Sequence, residues 1–213
     1  MYGPAAFLND DPEAIAGLIA AHPLAVLAAP ARDGVVVAHA PLLAERDGEG
    51  RIAALVGHVA RANPFAQVEA GALCTAVFIG PDAYVSPSAY PSKAEHGRVV
   101  PTWNYVRAEV TGRLALVHDP VALADTVAAL TDAMEAGQAR PWAFADAPAD
   151  YRAGMLNAIV GIRIDVSAAF GKWKLSQNRA ARDAAGVMAD LARRNDTQAQ
   201  AISRAMQTID KEG

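Results

Sequence analysis

A single cysteine, Cys74, stands in the whole sequence, so no intramolecular disulfide can staple the fold. Within "ALCTAVFIG" it reads as a small buried hydrophobe, in keeping with a reducing compartment. Aromatic residues are scarce, at 6%. Apolar runs are short, and none reaches the roughly eighteen residues that a membrane helix needs. The opening stretch "MYGPAAFLNDDPEA" has neither the basic nor the apolar region of a signal peptide, so a cytoplasmic protein without membrane association is expected. His22, His39, His58, His96 and His118 include no i, i+4 pair, and no Cys-x-x-Cys exists, so no metal site is expected. No Gly-x-Ser-x-Gly elbow and no Walker-type loop is present, which leaves hydrolase and nucleotide-triphosphatase readings without support. The net charge of −4 argues against a surface built throughout for nucleic acid. Residues 171–213 nevertheless carry eight Lys and Arg against five Asp and Glu, leaving a basic tail on an acidic body.

What is there reads as one large domain. "DDPEAIAGLIAAHP" signals a helix, with Asp11 as cap, Pro12 at the first position, and Ile15, Leu18 and Ile19 on one face. "LAVLAAP", "VVVAHAPLLA" and "RIAALVGHV" follow as strands joined through Asp33-Gly34 and Asp47-Gly48, an antiparallel meander. His39 shares a strand face with Val35 and Val37 and reads as a structural histidine. A strand ending at His58 leads to a short helix from about Asn63 to Ala70, and "ALCTAVFIG" then turns at Gly80-Pro81-Asp82 into a short strand "AYVS". The longest strand alternates Val106, Ala108, Val110, Gly112, Leu114 and Leu116 with polar residues, which marks one buried face. A helix from Asp119-Pro120 places Leu123, Val127, Leu130 and Met134 at helical spacing, and another begins near Pro148. The last strand, "IVGIRIDVSAAFGKWK", points Val160, Ile162, Ile164 and Val166 inward. Six or seven antiparallel strands with inserted helices predict an α+β fold built on a small barrel. The organisation expected is residues 1–178 as that domain and 179–213 as its C-terminal helical hairpin, broken at Asn195-Asp196.

Three clusters carry candidate chemistry. In "GHVARANP", Asn63 and Pro64 open a helix whose N-terminus, with the planar fork of Arg61, suits an anion; a capped surface helix beside a solvated arginine gives the same signal. "GPDAYVSPSAYPSKAEHGRVVPTWNY" crowds Ser86, Ser88, Tyr90, Lys93, Trp103, Asn104 and Tyr105 into an irregular stretch. A lysine neutralises phosphate, hydroxyls bind a sugar-alcohol chain, and rings cover a flat heterocycle. In "GKWKLSQNR", Lys174 and Gln177 are placed to reach a ligand, while Ser176 or Asn178 reads as a cap for the next helix.

The blocks "HAPLL", "GHVARANP", "GPDAYVSPSAYPSKAEHG", "VPTWNY", "AIVGI" and "GKWKLSQN", in this order, resemble the PaiB-type FMN-binding negative transcriptional regulators over roughly residues 1–195. The resemblance implies an antiparallel split β-barrel of the pyridoxamine-phosphate-oxidase-like flavin-binding class, with FMN at the interface of a homodimer. It places FMN contacts at His58, Arg61 and Asn63, at Ser86, Ser88, Tyr90 and Lys93, and at Trp103 and Asn104. Ala89 stands where the family often carries a tryptophan before the tyrosine. Two further functions stay open: a flavin oxidoreductase whose FMN is reduced by NAD(P)H, and a haem-binding relative, the latter disfavoured because no histidine follows His118. "VMADLARRNDTQAQAISRAM", with Gln198, Gln200 and Arg204 outward, also fits a helix-turn-helix, so weak DNA binding is a further expectation.

Overall fold

Local signals in the sequence become seven strands and six helices in the computed structural model, which describes residues 3–209. In chain order these are β1 (Leu8–Asn9), α1 (Pro12–Ala21), β2 (Leu24–Ala31), β3 (Gly34–Arg46), β4 (Ile52–Ala60), β5 (Leu73–Val85) and α2 (Lys93–His96). Then follow β6 (Thr102–Val117), α3 (Pro120–Glu135), α4 (Ala149–Asn157), β7 (Ile159–Lys174), α5 (Ala181–Arg193) and α6 (Thr197–Ile209). The strands hydrogen-bond in the order β1-β7-β4-β3-β2-β5-β6, and β7 also pairs with β6, so six of them form a closed ring of pairings. The β1–β7, β2–β3, β2–β5, β3–β4 and β4–β7 registers are all antiparallel. This is the antiparallel α+β architecture that the sequence predicts.

The chain divides into two compact units. The larger comprises Asp11–Phe78 and Glu109–Ala169. Asp11 caps α1 as expected, accepting from the Glu13 and Ala14 amides. Asp47 holds the β3–β4 turn by accepting from the Glu49 and Arg51 amides, and Gly50 there takes φ +80°. Leu27, Leu42, Leu55, Phe65, Phe78, Ile162 and Ile164 are fully or almost fully buried, so alternation along each strand has become a sheet face turned on a core. Gly112 has a packing reason: a Cβ there would lie 2.2 Å from Asp165 O on β7.

The smaller unit comprises Met1–Asp10, Ile79–Ala108 and Phe170–Gly213. Its apolar interior is supplied by Val85, Tyr90, Val106, Leu175, Val187, Leu191, Ile202 and Met206. Helices α5 and α6 pack on each other, and Asp196 caps α6 by accepting from the Gln198 and Ala199 amides.

Several local expectations are corrected. Strand β4 runs past His58 to Ala60. The helix expected over 63–70 is a four-residue 3-10 turn, Pro64–Gln67, because only one Asn63 cap bond and two apolar anchors, Phe65 and Val68, favour it. Strand β5 passes through Gly80-Pro81 without a turn, with Gly80 and Ala83 buried on the way to Val85. Val35, Val37 and His39 share a face, but it is the outer one, while Ala38 and Ala40 point to the core. Met134 is exposed, and Leu116 and Val166 are half-buried. Neither Ser176 nor Asn178 caps α5, whose cap position is Ala180 without a side-chain bond.

Candidate functional site

The irregular segment of the smaller unit is shaped by its own short-range bonds. Ser86 Oγ accepts from the Ser88 amide and caps a 3-10 turn, Pro87–Ala89. Pro91 leads into α2, which closes on Gly97 at φ +64°, a left-handed position that glycine adopts without strain. Lys93 Nζ donates to Ser88 Oγ at 3.0 Å, so hydroxyl and ammonium are presented together. Tyr90 is buried, and its hydroxyl has no hydrogen-bond partner among the described residues. The Arg179 guanidinium lies over its ring, 5.1 Å from the centroid.

Strands β6 and β7 add a second group to the same unit. Trp103 is half exposed and meets Tyr84 edge-on, with centroids 5.9 Å apart. Three cations surround the Tyr105 ring: Arg107 at 5.1 Å, Lys172 at 5.6 Å and Lys174 at 5.9 Å. Lys174 also donates to Thr102 Oγ1 and to Trp103 O. Burial lowers its pKa, and Lys172 and Arg179 push in the same direction, whereas Tyr105 opposes them. An anion placed here would relieve that crowding of like charges.

Other sequence candidates in this unit turn inward. Asn104 is wholly buried, and its amide is occupied by Ser176 Oγ at 3.0 Å and Met206 Sδ at 3.7 Å. Gln177 folds back on its own strand, accepting from the Leu175 amide and donating to Trp173 O. Both fix the chain around the candidate residues.

In the larger unit, His58 faces Gly161 across the β4–β7 register, and its Nδ1 is buried with no partner among the described residues. Burial lowers its pKa. Arg61 spends much of its fork on the chain itself: Nε donates to Asn157 O and Nη2 to Ile159 O, each at 2.8 Å, tying the strand end to the α4–β7 junction. Asn63 Oδ1 accepts from the Phe65 amide. A turn of four residues offers little helix dipole, so an anion here would depend on side chains. Beside Pro64 and Gln67 opens a cleft of about 760 Å³, also lined by Arg32, Asp33, Val35 and Glu69.

Arg107, Lys172 and Arg179 were not among the sequence candidates. Period-two spacing held the signal, because residues 103, 105 and 107 share one face of β6, as 172 and 174 share one face of β7.

Comparison with known proteins gives a coherent set. The family described as "Putative FMN-binding domain" matches residues 1–168. An uncharacterized protein of Emericella nidulans is 30% identical over 169 residues, covering 67% of each chain. The "Protease synthase and sporulation protein PAI 2" of Bacillus subtilis is 28% identical over 154 residues, covering 72% of each. Among solved structures, an FAD and heme binding protein of Mycobacterium smegmatis matches 84% of this chain and 78% of its own, with TM-score 0.56 and 19% identity. A flavocytochrome of Azotobacter vinelandii matches 78% of this chain and 69% of its own, with TM-score 0.55 and 16% identity. The structural likenesses show the fold.

Proposed function

This chain belongs to the family described as "Putative FMN-binding domain", and on that premise we propose that it is an FMN-dependent regulator, holding the flavin on a homodimer. The observation that carries the flavin reading is the Tyr90 hydroxyl, buried without a partner among the described residues, on the segment that also carries the Lys93–Ser88 pair. A buried, unpaired hydroxyl costs about 1–3 kcal/mol, and a ligand acceptor removes that cost. The residues present fit FMN: Lys93 and Ser88 offer charge and hydroxyl to a phosphate, Tyr90 offers a hydroxyl to a polar chain, and Trp103 offers an exposed ring to a flat one. Lys174 adds a second cation, and Ser86, Asn104 and Gln177 hold the backbone that carries these groups. In the larger unit, His58 keeps a buried nitrogen without a partner among the described residues, whereas Asn63 and the Nε and Nη2 of Arg61 serve the chain. FMN, when bound, supplies reversible one- and two-electron chemistry; these side chains bind it, orient it and limit its contact with water.

The homodimer reading is supported by the outer face of β2, β3 and β5. Val35 and Val37 are 70% and 55% exposed, and register sets Val35 against Pro30, Val37 against Ala28 and Val26 against Val77, so apolar positions adjoin across three strands. The regulator role rests on the sequence resemblance and on the Bacillus relative, whose name refers to protease synthase and sporulation. Direct DNA reading by the tail has weak support: Arg194 is held by Asp190 and Tyr84 O, and Gln200 donates to Arg194 O, leaving Gln198 and Arg204 exposed.

The test is titration of the flavin-free protein with FMN, followed by flavin fluorescence, and then anaerobic addition of NADH. Saturable binding with a yellow colour that persists supports the regulator; rapid bleaching replaces it with an oxidoreductase. No binding at about 100 μM FMN, where a site weaker than roughly −5.5 kcal/mol would go unfilled, overturns the flavin reading.

A further inference from the structure

The segment that carries Ser86, Ser88, Tyr90 and Lys93 belongs to no strand, so no ladder of backbone bonds fixes it. Beyond its own short-range bonds and the Arg179–Tyr90 contact, it is held by one face of α5. Asp183 Oδ1 accepts from the Ser92 amide at 3.0 Å, and Oδ2 accepts from Ser92 Oγ at 2.8 Å. Ser92 and Asp183 are both buried, at 3% and 8% exposure, so water does not compete for these bonds. One residue before, Arg182 grips Glu95 of α2 with both terminal guanidinium nitrogens. Three residues after Asp183, Gly186 seats the segment against the helix: a Cβ there would lie 2.4 Å from Ala89 O and 2.7 Å from Pro91 Cδ. Arg182, Asp183 and Gly186 fall on one helical surface, so α5 touches the segment before, at and after Ser92. Ser92 immediately precedes Lys93, whose ammonium reaches Ser88. The family match ends at residue 168, and this support comes from the chain beyond it.

We propose that Asp183 is a positioning residue for the flavin phosphate: through Ser92 it fixes the backbone that aims Lys93, which makes α5 part of the cofactor site. This rests on the FMN reading above. Glu95, with Arg182, anchors the other end of the same turn, and Gly186 sets its distance from the helix.

The conservative substitution separates positioning from charge. In Asp183→Asn the amide oxygen still accepts the Ser92 N–H and the amide nitrogen donates to Ser92 Oγ, so both links survive. Asp183→Ala removes both. The experiment is calorimetric titration of wild type, Asp183→Asn, Asp183→Ala, Ser92→Ala and Lys93→Ala, and of the Asp183→Ala/Lys93→Ala double variant, with FMN and with riboflavin. Thermal unfolding of each without flavin accompanies it. Asp183→Ala is expected to weaken FMN about three- to tenfold, with riboflavin within about twofold, as loss of a hydrogen-bonded link to a charged contact implies. Asp183→Asn restores FMN affinity to near wild type, and Asp183→Ala has no further effect once Lys93 is alanine. A folded Asp183→Ala with unchanged FMN affinity overturns the inference. So does equal loss of both flavins, or an effect that persists undiminished without Lys93, since either makes Asp183 a purely structural residue. If Asp183→Ala does not fold, Ser92→Ala, which loses only the hydroxyl link, carries the same comparison with the same opposing outcomes. Wild type that binds no FMN overturns the cofactor reading and this inference together, whereas a wild type that binds beside an unaffected Asp183→Ala overturns this inference alone.

Discussion

Among the described residues Lys93 donates to Ser88 Oγ alone, which leaves donors for a ligand. A charge-assisted bond contributes about 1.5–3 kcal/mol, so Lys93→Ala should weaken FMN by roughly ten- to a hundredfold and barely affect riboflavin, which has no phosphate. Paired fluorescence titrations check this; equal losses for both flavins would place the lysine against the ring. Arg61 looked equivalent from its spacing before Asn63-Pro64, yet Nε and Nη2 are committed to Asn157 O and Ile159 O. Arg61→Ala should therefore lower the unfolding midpoint of the flavin-free protein, an effect not expected of Lys93→Ala. His58 gives a pH signature. Burial lowers its pKa from the usual 6.5, so below that value the unfolded chain takes up a proton that the folded chain resists. Stability should be fully present above pH 6.5 and fall as pH drops through the window below it. His58→Gln should flatten that part of a plot of urea midpoint against pH, and an unchanged slope would assign the effect to other groups. Cys74, with no exposed surface and a pKa pushed up to about 11 by burial, is the inert interior thiol its apolar neighbours implied.

Secondary elements were legible where one period ran for many residues and a capping residue marked the boundary. Strand β7 spans Ile159–Lys174, the run the sequence marks, and α1, α3 and α6 begin at Asp11, Asp119 and Asp196, each accepting from helix amides. Asp196→Ala should cost about 1 kcal/mol, the usual value of such a cap, and shift the chemical unfolding midpoint without changing its slope. A changed slope would mean that α6 separates before the rest unfolds. Misreadings cluster where a local signal was opposed by longer-range pairing. Gly80-Pro81 has turn chemistry, but burial of Phe78, Gly80, Ala83 and Val85 keeps β5 continuous. Asn63-Pro64 has helix-start chemistry, but only Phe65 and Val68 are buried behind it, too few to carry a longer helix. At the candidate site, residue types were readable and commitments were not. Asn104 and Gln177 carry the same groups as a ligand contact would, and only three-dimensional packing shows their amides occupied by Ser176, Trp173 and Leu175. Asp183 lay hidden for the same reason, since its partner Ser92 is ninety-one positions away in sequence.

A chain of this size with a well-filled core has no stability reason to leave large apolar residues outward along neighbouring strands. The larger unit does so on β2, β3 and β5, where Leu24, Val35, Val37 and Leu73 are half exposed or more and alternate with fully buried partners such as Ala25, Ala38 and Cys74. Single exposed apolar residues are ordinary; positions that adjoin through antiparallel register form a surface. A second copy is the occupant proposed for it, and a two-fold dimer presents the same patch from both sides, so each substitution acts twice. Val37→Lys would forfeit about 1.5–3 kcal/mol of side-chain burial per copy, before any cost of burying an ammonium. The dimer should therefore dissociate at least about a hundredfold more readily. Sedimentation velocity from about 1 to 50 μM, a range that brackets dissociation constants corresponding to roughly −8 to −6 kcal/mol, should show wild type as a dimer and Val37→Lys as a monomer with unchanged far-ultraviolet circular dichroism. Because the flavin is proposed to be held on the dimer, FMN affinity should fall in step with the monomer fraction and recover at high protein concentration. A wild-type monomer that binds FMN tightly would leave the cofactor with the single chain and require another role for the apolar face.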